Sequence, residues 1–341
     1  MEYPSLDLPT AGALRFNTDS TQLELYDGSQ WSNVIAGSAQ NESGGSRGLQ
    51  LGGAPSQQDT IEYINIATTG NSVDFGNLTL GRRAGPGSTA SRNRAICYGG
   101  QTPGFTDVID YHSIASTGDF IDFGDLINAG REFGGGGNNT RGIIWGQAGP
   151  SINIIQFVTI DTTGNAQDFG DCSTTGGSAS GQNFGSPTRS IFSGGYYAGT
   201  DCVTIASTGN AAFFANAYGA PATNTYGMSG QTGNASRGLV MGGNFNGSPW
   251  TQFQTHIGMF NISTFADGTF FGDLSQSKGY GMQCCSSTRS VYMGGYVTPA
   301  KVDVIEYVQN ATTGNAQDFG NLTSARSAGT GTSNGHGGLS N

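Results

Sequence analysis

The chain has 341 residues, of which 58 are glycine, and a charged fraction of 11% leaves a formal net charge of −10. Only 14 residues are Lys or Arg, which argues against a nucleic-acid-binding surface, because such surfaces need clustered cations to displace counterions from phosphate. No apolar stretch approaches the length of a membrane span, so no membrane insertion is expected. Apolar residues come in short runs bounded by Gly, Thr and Asn, which predict an all-β protein with almost no helix.

Residues 1–40 form the first predicted unit, an N-terminal arm. The segments at 12–19 and 23–31 alternate apolar and polar residues around a short turn, so the arm is predicted to be a β-hairpin. A lone hairpin is marginally stable in water, and the arm therefore has to dock on the propeller, on its own copies or on another protein. The side chains expected to bind that partner are Leu14, Phe16, Leu25 and Trp31.

Residues 41–341 are built from repeats, each opened by an arginine before an apolar run that ends near a Gly pair. The six repeat arginines are Arg47, Arg94, Arg141, Arg189, Arg237 and Arg289, separated by 47, 47, 48, 48 and 52 residues. Each repeat reads as a small polar strand, the arginine strand, a strand such as Ile-Glu-Tyr, a turn such as Thr-Thr-Gly-Asn and a strand such as Asp-Phe-Gly. The versions of the last three at Val203–Asn216 and His256–Leu274 are degraded. Four strands at this spacing predict a six-bladed β-propeller.

The small polar first strands are predicted at 81–89, 129–139, 176–187, 219–235 and 277–287. A sixth copy stands at 324–334, and no arginine strand follows it. Because the first repeat begins directly with its arginine strand, residues 324–335 are expected to pair beside 46–53 and complete blade 1. Such closure leaves no open sheet edge where the two ends of the ring meet.

The turns and loops are expected to lie on opposite faces of the ring. Those joining strands 1 to 2 and 3 to 4 are regular, whereas the loops after each Gly pair vary in length and content, as expected of a surface that a scaffold presents. Within these loops, possible ligand-binding residues are Tyr196, Tyr197, Phe245 and Trp250. Aromatic side chains bind sugars and proteins well, and the alternative is that they cover the blade ends.

Other candidate chemistry is weak. The six arginines either surround an anion or, as we favour, hydrogen-bond strand ends and neighbouring blades. The five cysteines have no shared position in the repeat and are expected to be free thiols. The three histidines lie at unrelated repeat positions. The sequence therefore predicts no enzyme, no metal site and no cofactor.

Two patterns resemble known families. The repeat is similar to the kelch repeat over residues 46–336, with Phe75, Phe123, Phe169 and Phe319 at the place of the kelch tryptophan. The arm pattern Leu-Arg-Phe-Asn-Thr-Asp, Leu-Glu-x-Tyr-Asp-Gly and Trp resembles a short module of tail, neck and fibre proteins of tailed bacteriophages. The phrase Ile-Ala-Thr-Thr-Gly-Asn-Ala-x-Asp-Phe-Gly resembles virion proteins of marine phages.

These resemblances imply a kelch-like propeller in a virion structural protein, assembled in the host cytoplasm in multiple copies as a homo-oligomer or array. They imply that the arm anchors the chain to other virion proteins while the propeller serves assembly or host attachment, possible partners being host-surface glycans. The alternative is a soluble, lectin-like carbohydrate-binding propeller that belongs to no particle.

Overall fold

The computed structural model describes residues 10–17, 22–33, 46–146, 148, 152–173, 181–193, 199–216, 230–243 and 253–339. The chain divides into two compact units, Met1–Gly44 and Gly45–Asn341. The first unit contains a three-stranded antiparallel sheet of the strands Leu14–Asn17, Gln22–Tyr26 and Trp31–Asn33, which pair in chain order. The predicted hairpin is thus present, extended by a third strand, and it belongs to none of the blades.

The second unit is an all-β propeller of six four-stranded antiparallel blades, as the sequence predicts. Strand 1 of blades 1 to 6 is Thr330–Ser333, Gly87–Ala90, Gly134–Gly137, Phe184–Gly185, Gly230–Gly233 and Met282–Cys285. Strand 2 is Arg47–Leu51, Arg94–Tyr98, Arg141–Trp145, Arg189–Ser193, Arg237–Met241 and Arg289–Met293. Strand 3 is Thr60–Asn65, Gly104–Ser113, Ile154–Thr159, Gly199–Thr204, His256–Asn261 and Val304–Gln309. Strand 4 is Val73–Asn77, Ile121–Gly130, Gln167–Asp171, Ala212–Asn216, Thr269–Asp273 and Gln317–Asn321.

Smaller elements decorate this plan. Gln101–Thr102 pairs with the start of strand 3 in blade 2, and Tyr296–Val297 forms a hairpin with Ala300–Lys301 in blade 6. Gly181–Gln182 pairs in parallel with strand 1 of blade 3. The helix in the described part of the chain is one 3-10 turn, Gly337–Leu339.

The first strands begin later than the sequence suggested. In blade 2, for example, the segment predicted at 81–89 enters strand 1 only at Gly87. The residues before that point form a connection, because the chain has to cross from strand 4 on the outside of one blade to strand 1 at the centre of the next. First strands of neighbouring blades contact each other all the way around the ring, which places them at the axis.

The predicted closure of the ring is confirmed. Thr330, Gly331, Thr332 and Ser333 pair antiparallel with strand 2 of blade 1, and this strand completes a blade whose other three strands come from residues 47–77. The inner edge of strand 2 in blade 1 is therefore covered, as it is in the other blades.

The hydrophobic core is divided among the interfaces between blades. Six clusters of buried side chains lie between neighbouring blades, including the pair formed by blades 6 and 1. Phe75 and Phe319, at the kelch-like aromatic position of strand 4, are 2% and 3% exposed within these clusters. Because every blade buries both faces against neighbours, the apolar residues of the repeat drive ring assembly as well as blade folding.

Candidate functional site

The six repeat arginines make one repeated contact at the blade interfaces. Nη1 of each arginine donates to a carbonyl oxygen at the end of strand 3 in the next blade, at 2.8–3.2 Å. The acceptors, in the order of the arginines, are Ile114, Ile160, Ile205, Ile262, Asn310 and Ile66. Four of the guanidinium groups also lie over the Tyr or Phe ring of strand 3 in their own blade. Through these contacts the arginine side chains join neighbouring blades. This is the hydrogen-bonding role that we favoured over an anion site.

The turns between strands 3 and 4 form a second ring of contacts. An Asn or Asp at each turn accepts a hydrogen bond from the backbone N–H at the end of strand 4 in the preceding blade, at 2.9–3.1 Å. The six acceptors are Asn71, Asp119, Asn165, Asn210, Asp267 and Asn315. The turn face is therefore regular because its side chains hold neighbouring blades together, a role that the sequence did not reveal.

The axis of the propeller is filled by backbone. A Cβ atom on Gly135, in strand 1 of blade 3, would lie 1.8 Å from the carbonyl oxygen of Ser88 in blade 2. Such an approach excludes any side chain at this position. The glycine run 134–137 is thus required for packing, as expected of an inner strand and not of a phosphate-binding loop.

Residues 336–339 cross the ends of the first strands on the turn face. The His336 side chain donates from Nε2 to the carbonyl oxygen of Ala90 at 2.8 Å, and Arg92 donates from Nη2 to the carbonyl oxygen of Leu339 at 2.6 Å. Gly337 and Gly338 pack against the ends of first strands in other blades. Burial lowers the pKa of His336 to about 4, so its imidazole is neutral at pH 7.

The opposite face, which we call the loop face, carries a strained backbone feature. Tyr280, Ala328, Ala84 and Glu132 occupy equivalent positions before strand 1 of blades 6, 1, 2 and 3, with φ of 57°, 55°, 60° and 58°. Successive members are joined by hydrogen bonds of 2.8–3.1 Å between neighbouring connections. We call these four residues the left-handed arc. Non-glycine residues rarely adopt this conformation, and they concentrate at functional sites when they do.

In addition to the arc, the described part of the loop face carries four isolated β-bridges. Isolated bridges pair Gly279 with Tyr296, Ser327 with Ala54, Arg83 with Gln101 and Arg131 with Ala148. Each bridge joins the connection that enters a blade to the loop that follows strand 2 of that blade. The loop face thus brings together residues from four consecutive blades close to the axis.

The predicted aromatic loop residues are not placed by the structure. Tyr196, Tyr197, Phe245 and Trp250 all lie outside the described residues, so their role as ligand contacts stays a prediction. The structure instead shows an aromatic group that sequence reasoning missed. The ring of Phe253 makes edge contacts with Tyr280 and Tyr296, at centroid distances of 5.9 and 6.1 Å.

Most cations of the propeller are committed to internal contacts. In blade 2, Arg82 pairs with Asp110 at 2.6 Å, and both side chains are fully buried. Equivalent pairs are Arg326–Glu62 in blade 1, at 3.1 Å, and Lys278–Glu306 in blade 6. Burial raises the pKa of Asp110 and lowers the pKa of Lys278. Both shifts reflect the cost of removing a charged group from water, and the attraction within each ion pair has to offset that cost.

The two faces of the arm sheet differ: one is apolar and exposed, and on the other Trp31 packs with Tyr26 and Arg15. Leu14 lies opposite Leu25, and with Phe16 they share a face on which their exposures are 61%, 39% and 63%. Trp31 lies on the other face, opposite Tyr26, and the guanidinium of Arg15 covers its ring at 4.2 Å. The structure thus brings together three of the four predicted partner-binding residues and places Trp31 apart from them.

Several other groups are accounted for by packing. The five cysteines are free thiols and are buried; burial raises the pKa of Cys97 and of Cys172 to about 12. In the described part of the chain, no group of three His, Cys, Asp or Glu side chains is arranged to hold a metal ion. None of the described helices has the length and apolarity to span a bilayer.

The chain matches no protein-family model and no curated protein. The architecture itself, a closed propeller with a separate small sheet, is therefore the strongest guide to function, and it is consistent with a structural or binding role.

Proposed function

We propose that the chain is a structural protein of a tailed-bacteriophage virion, a tail, neck or fibre component that is joined to other virion proteins through its N-terminal arm. In this proposal several copies are present in the particle, and the propeller projects for assembly or for contact with the host surface. The resemblances of the arm and of the repeat to phage virion proteins suggest this role.

The observation that carries the proposal is the exposed face of the arm sheet. Leu14 and Phe16 are more than half exposed, and Leu25 lies beside them. A sheet of three short strands needs to bury one face to be stable, and contiguous exposed apolar surface is typical of interaction sites. The propeller, by contrast, has a buried apolar cluster at each blade interface, so its stability does not depend on covering exposed residues such as Val73.

The test is incorporation of variant chains into particles. We expect Leu14→Ser with Phe16→Ser to remove the protein from purified particles, scored by immunoblot, while the melting temperature of the propeller is unchanged. Val73→Ser is the matched control, because Val73 is a strand residue of the propeller with 53% exposure. It should leave incorporation at the wild-type level.

Wild-type incorporation of the double variant would overturn the anchoring role. A protein that is never recovered with particles but binds glycans in its free form would instead support the lectin-like alternative. Trp31 is not included in the test, since its packing with Tyr26 and Arg15 means that its removal would disturb the arm sheet itself.

A further inference from the structure

On the loop face, blades 6, 1 and 2 contribute equivalent residues to one surface, which we call the saddle. In blade 1 the arc position, the bridge position and its partner are Ala328, Ser327 and Ala54. The corresponding residues of blade 6 include Tyr280 and Tyr296, and the bridge of blade 2 joins Arg83 to Gln101. The residues of blade 1 at this surface are therefore small, and the larger side chains of blades 6 and 2 lie on either side of them.

The blade 6 side of the saddle is an aromatic wall. Tyr280 and Tyr296 both pack against Phe253, which is only 7% exposed, so the two tyrosine rings are supported from below. Tyrosine combines an apolar ring face with a polar tip, and it loses little conformational entropy on binding when its ring is already held. Such rings are suited to the apolar faces of sugar rings.

The blade 2 side of the saddle carries an uncommitted positive charge. Among the described Lys and Arg residues of the propeller, Arg83 and Lys301 make neither an ion pair nor a hydrogen bond through their side chains. Arg83 is partly buried next to Gln101, whereas Lys301 belongs to the hairpin of blade 6. A guanidinium without an acidic partner favours a carboxylate, which it binds with two parallel hydrogen bonds.

The arc explains why the wall and the cation are held at fixed positions. The N–H of Ala328 donates to the carbonyl oxygen of Tyr280 at 2.8 Å, and the N–H of Gly85 donates to that of Ala328 at 3.0 Å. Tyr280 and Arg83 are thus attached to one hydrogen-bonded backbone network. This preorganisation lowers the ordering cost of ligand binding.

We propose that the saddle, formed by Tyr280, Tyr296, Arg83 and Gln101 around Ala328 and Ser327, binds a saccharide that carries carboxylates. The tyrosines stack on a sugar ring and Arg83 pairs with a uronate-type carboxylate. The inference rests on the proposed host-surface role of the propeller and gives that role a ligand class.

The test measures binding of the full chain to hexameric oligogalacturonate by calorimetry, with the methyl-esterified hexamer as the uncharged probe. We expect binding of the acid form and at least tenfold weaker binding of the ester. Arg83→Gln should weaken binding of the acid about tenfold or more, the loss expected for one charge-assisted hydrogen bond. Tyr280→Gly should weaken it to a similar extent, and glycine adopts φ of 57° without strain.

Arg131→Gln is the matched control, because Arg131 is the blade 3 residue at the position equivalent to Arg83 and lies on the same face outside the saddle, where it pairs with Glu132. The affinity of this variant should stay within about twofold of the wild type. Equal weakening by Arg83→Gln and Arg131→Gln would show that the general electrostatic field of this face, and not the saddle, binds the acid. Tight binding of the ester would also overturn the site. Absence of wild-type binding at millimolar probe also overturns it, and leaves the arm proposal to be judged separately by particle incorporation.

Discussion

Blades 1 and 3 have the same architecture, but only blade 3 is continuous in sequence. In blade 3 a turn joins strands 1 and 2, and Asn138 Oδ1 accepts from the N–H of Arg141 at 2.9 Å. In blade 1 no turn joins them, yet Asn334 Oδ1 accepts from the N–H of Arg47 at 2.8 Å, across 287 residues. The same hydrogen bond thus forms with and without a covalent link, because the ring places the two strands side by side.

The two blades also differ in what is buried at their centre. Glu62 of blade 1 accepts hydrogen bonds from Arg326, Thr323 and Ser72, which come from both sides of the chain break. The equivalent residue of blade 3 is the neutral Gln156, which accepts from the N–H of Ile127 at 2.8 Å. In blade 3, Gly130 occupies the position at which blades 6, 1 and 2 have the cation. Among the described residues, the buried ion pairs of this type lie in blades 6, 1 and 2, around the junction of the chain ends.

The largest expected effect is a loss of unfolding free energy that is greater when Glu62 is replaced than when Gln156, its neutral equivalent in blade 3, is replaced. Glu62→Ala leaves Arg326 without its buried partner and should cost about 3–5 kcal/mol of unfolding free energy. Gln156→Ala, the matched change in blade 3, should cost about 1–3 kcal/mol, because it leaves a neutral N–H without its acceptor. Urea unfolding followed by fluorescence measures both. An equal or larger loss for Gln156→Ala would show that the charge does not hold the junction.

A smaller effect on stability is expected from the protonation of His336. This residue lies two positions after Asn334, and blade 3 has no counterpart of it. Its pKa is lowered from 6.5 to about 4 in the folded protein, so the unfolded chain binds more protons between these values. Stability should be fully present above pH 6.5 and decline by about 3 kcal/mol as the pH falls to about 4.

The control for this pH dependence is His336→Gln, which keeps an N–H donor for the carbonyl oxygen of Ala90 but does not titrate. Urea unfolding of both proteins at a series of pH values gives the difference. The variant should lose less stability than the wild type between pH 6.5 and 4. Parallel curves would contradict the assignment of this pH dependence to His336.

The smallest expected effect is that of moving the chain break. A circular permutant that begins at Thr140 and ends at Asn139, with residues 1–45 linking the original ends, should fold to the same ring. Asn138 and Arg141 would then pair across a break as Asn334 and Arg47 do now. We expect the melting temperature to change by no more than about 2–4 °C. A permutant that does not unfold cooperatively would show that the ion pair, and not ring geometry alone, permits the break.

Much of the propeller could be predicted because its signals repeat. The arginine spacing located strand 2 of every blade, and the extra polar copy near residue 330 located the closing strand. Partners could not be predicted in the same way: the acceptor of each arginine is a backbone carbonyl in another blade, which carries no residue-type signal. The left-handed arc was equally hidden, since Ala and Tyr give no indication of positive φ.

The site predictions depended on less repetitive sequence. Alternation identified the apolar residues of the arm, but the register places Trp31 on the face opposite Leu14 and Phe16, because only a third strand brings it opposite Tyr26. The tyrosines of the saddle are far apart in sequence from Arg83, and only the order of the blades around the ring brings them to one face. His336 gave no signal, since its partners lie at the ends of strands from other blades.

The split origin of blade 1 has a consequence during synthesis of the protein. Strand 2 of blade 1, Arg47–Leu51, leaves the ribosome early, whereas its inner neighbour Thr330–Ser333 emerges after all other strands. At about 5–20 residues per second, the nascent chain carries this unpaired edge for roughly 15–60 s. Blades 2 to 6 can be completed in order during that interval. Strand 2 of blade 1 stays unpaired on its inner edge until Thr330–Ser333 is made, and until then it can pair with other nascent chains or bind chaperones.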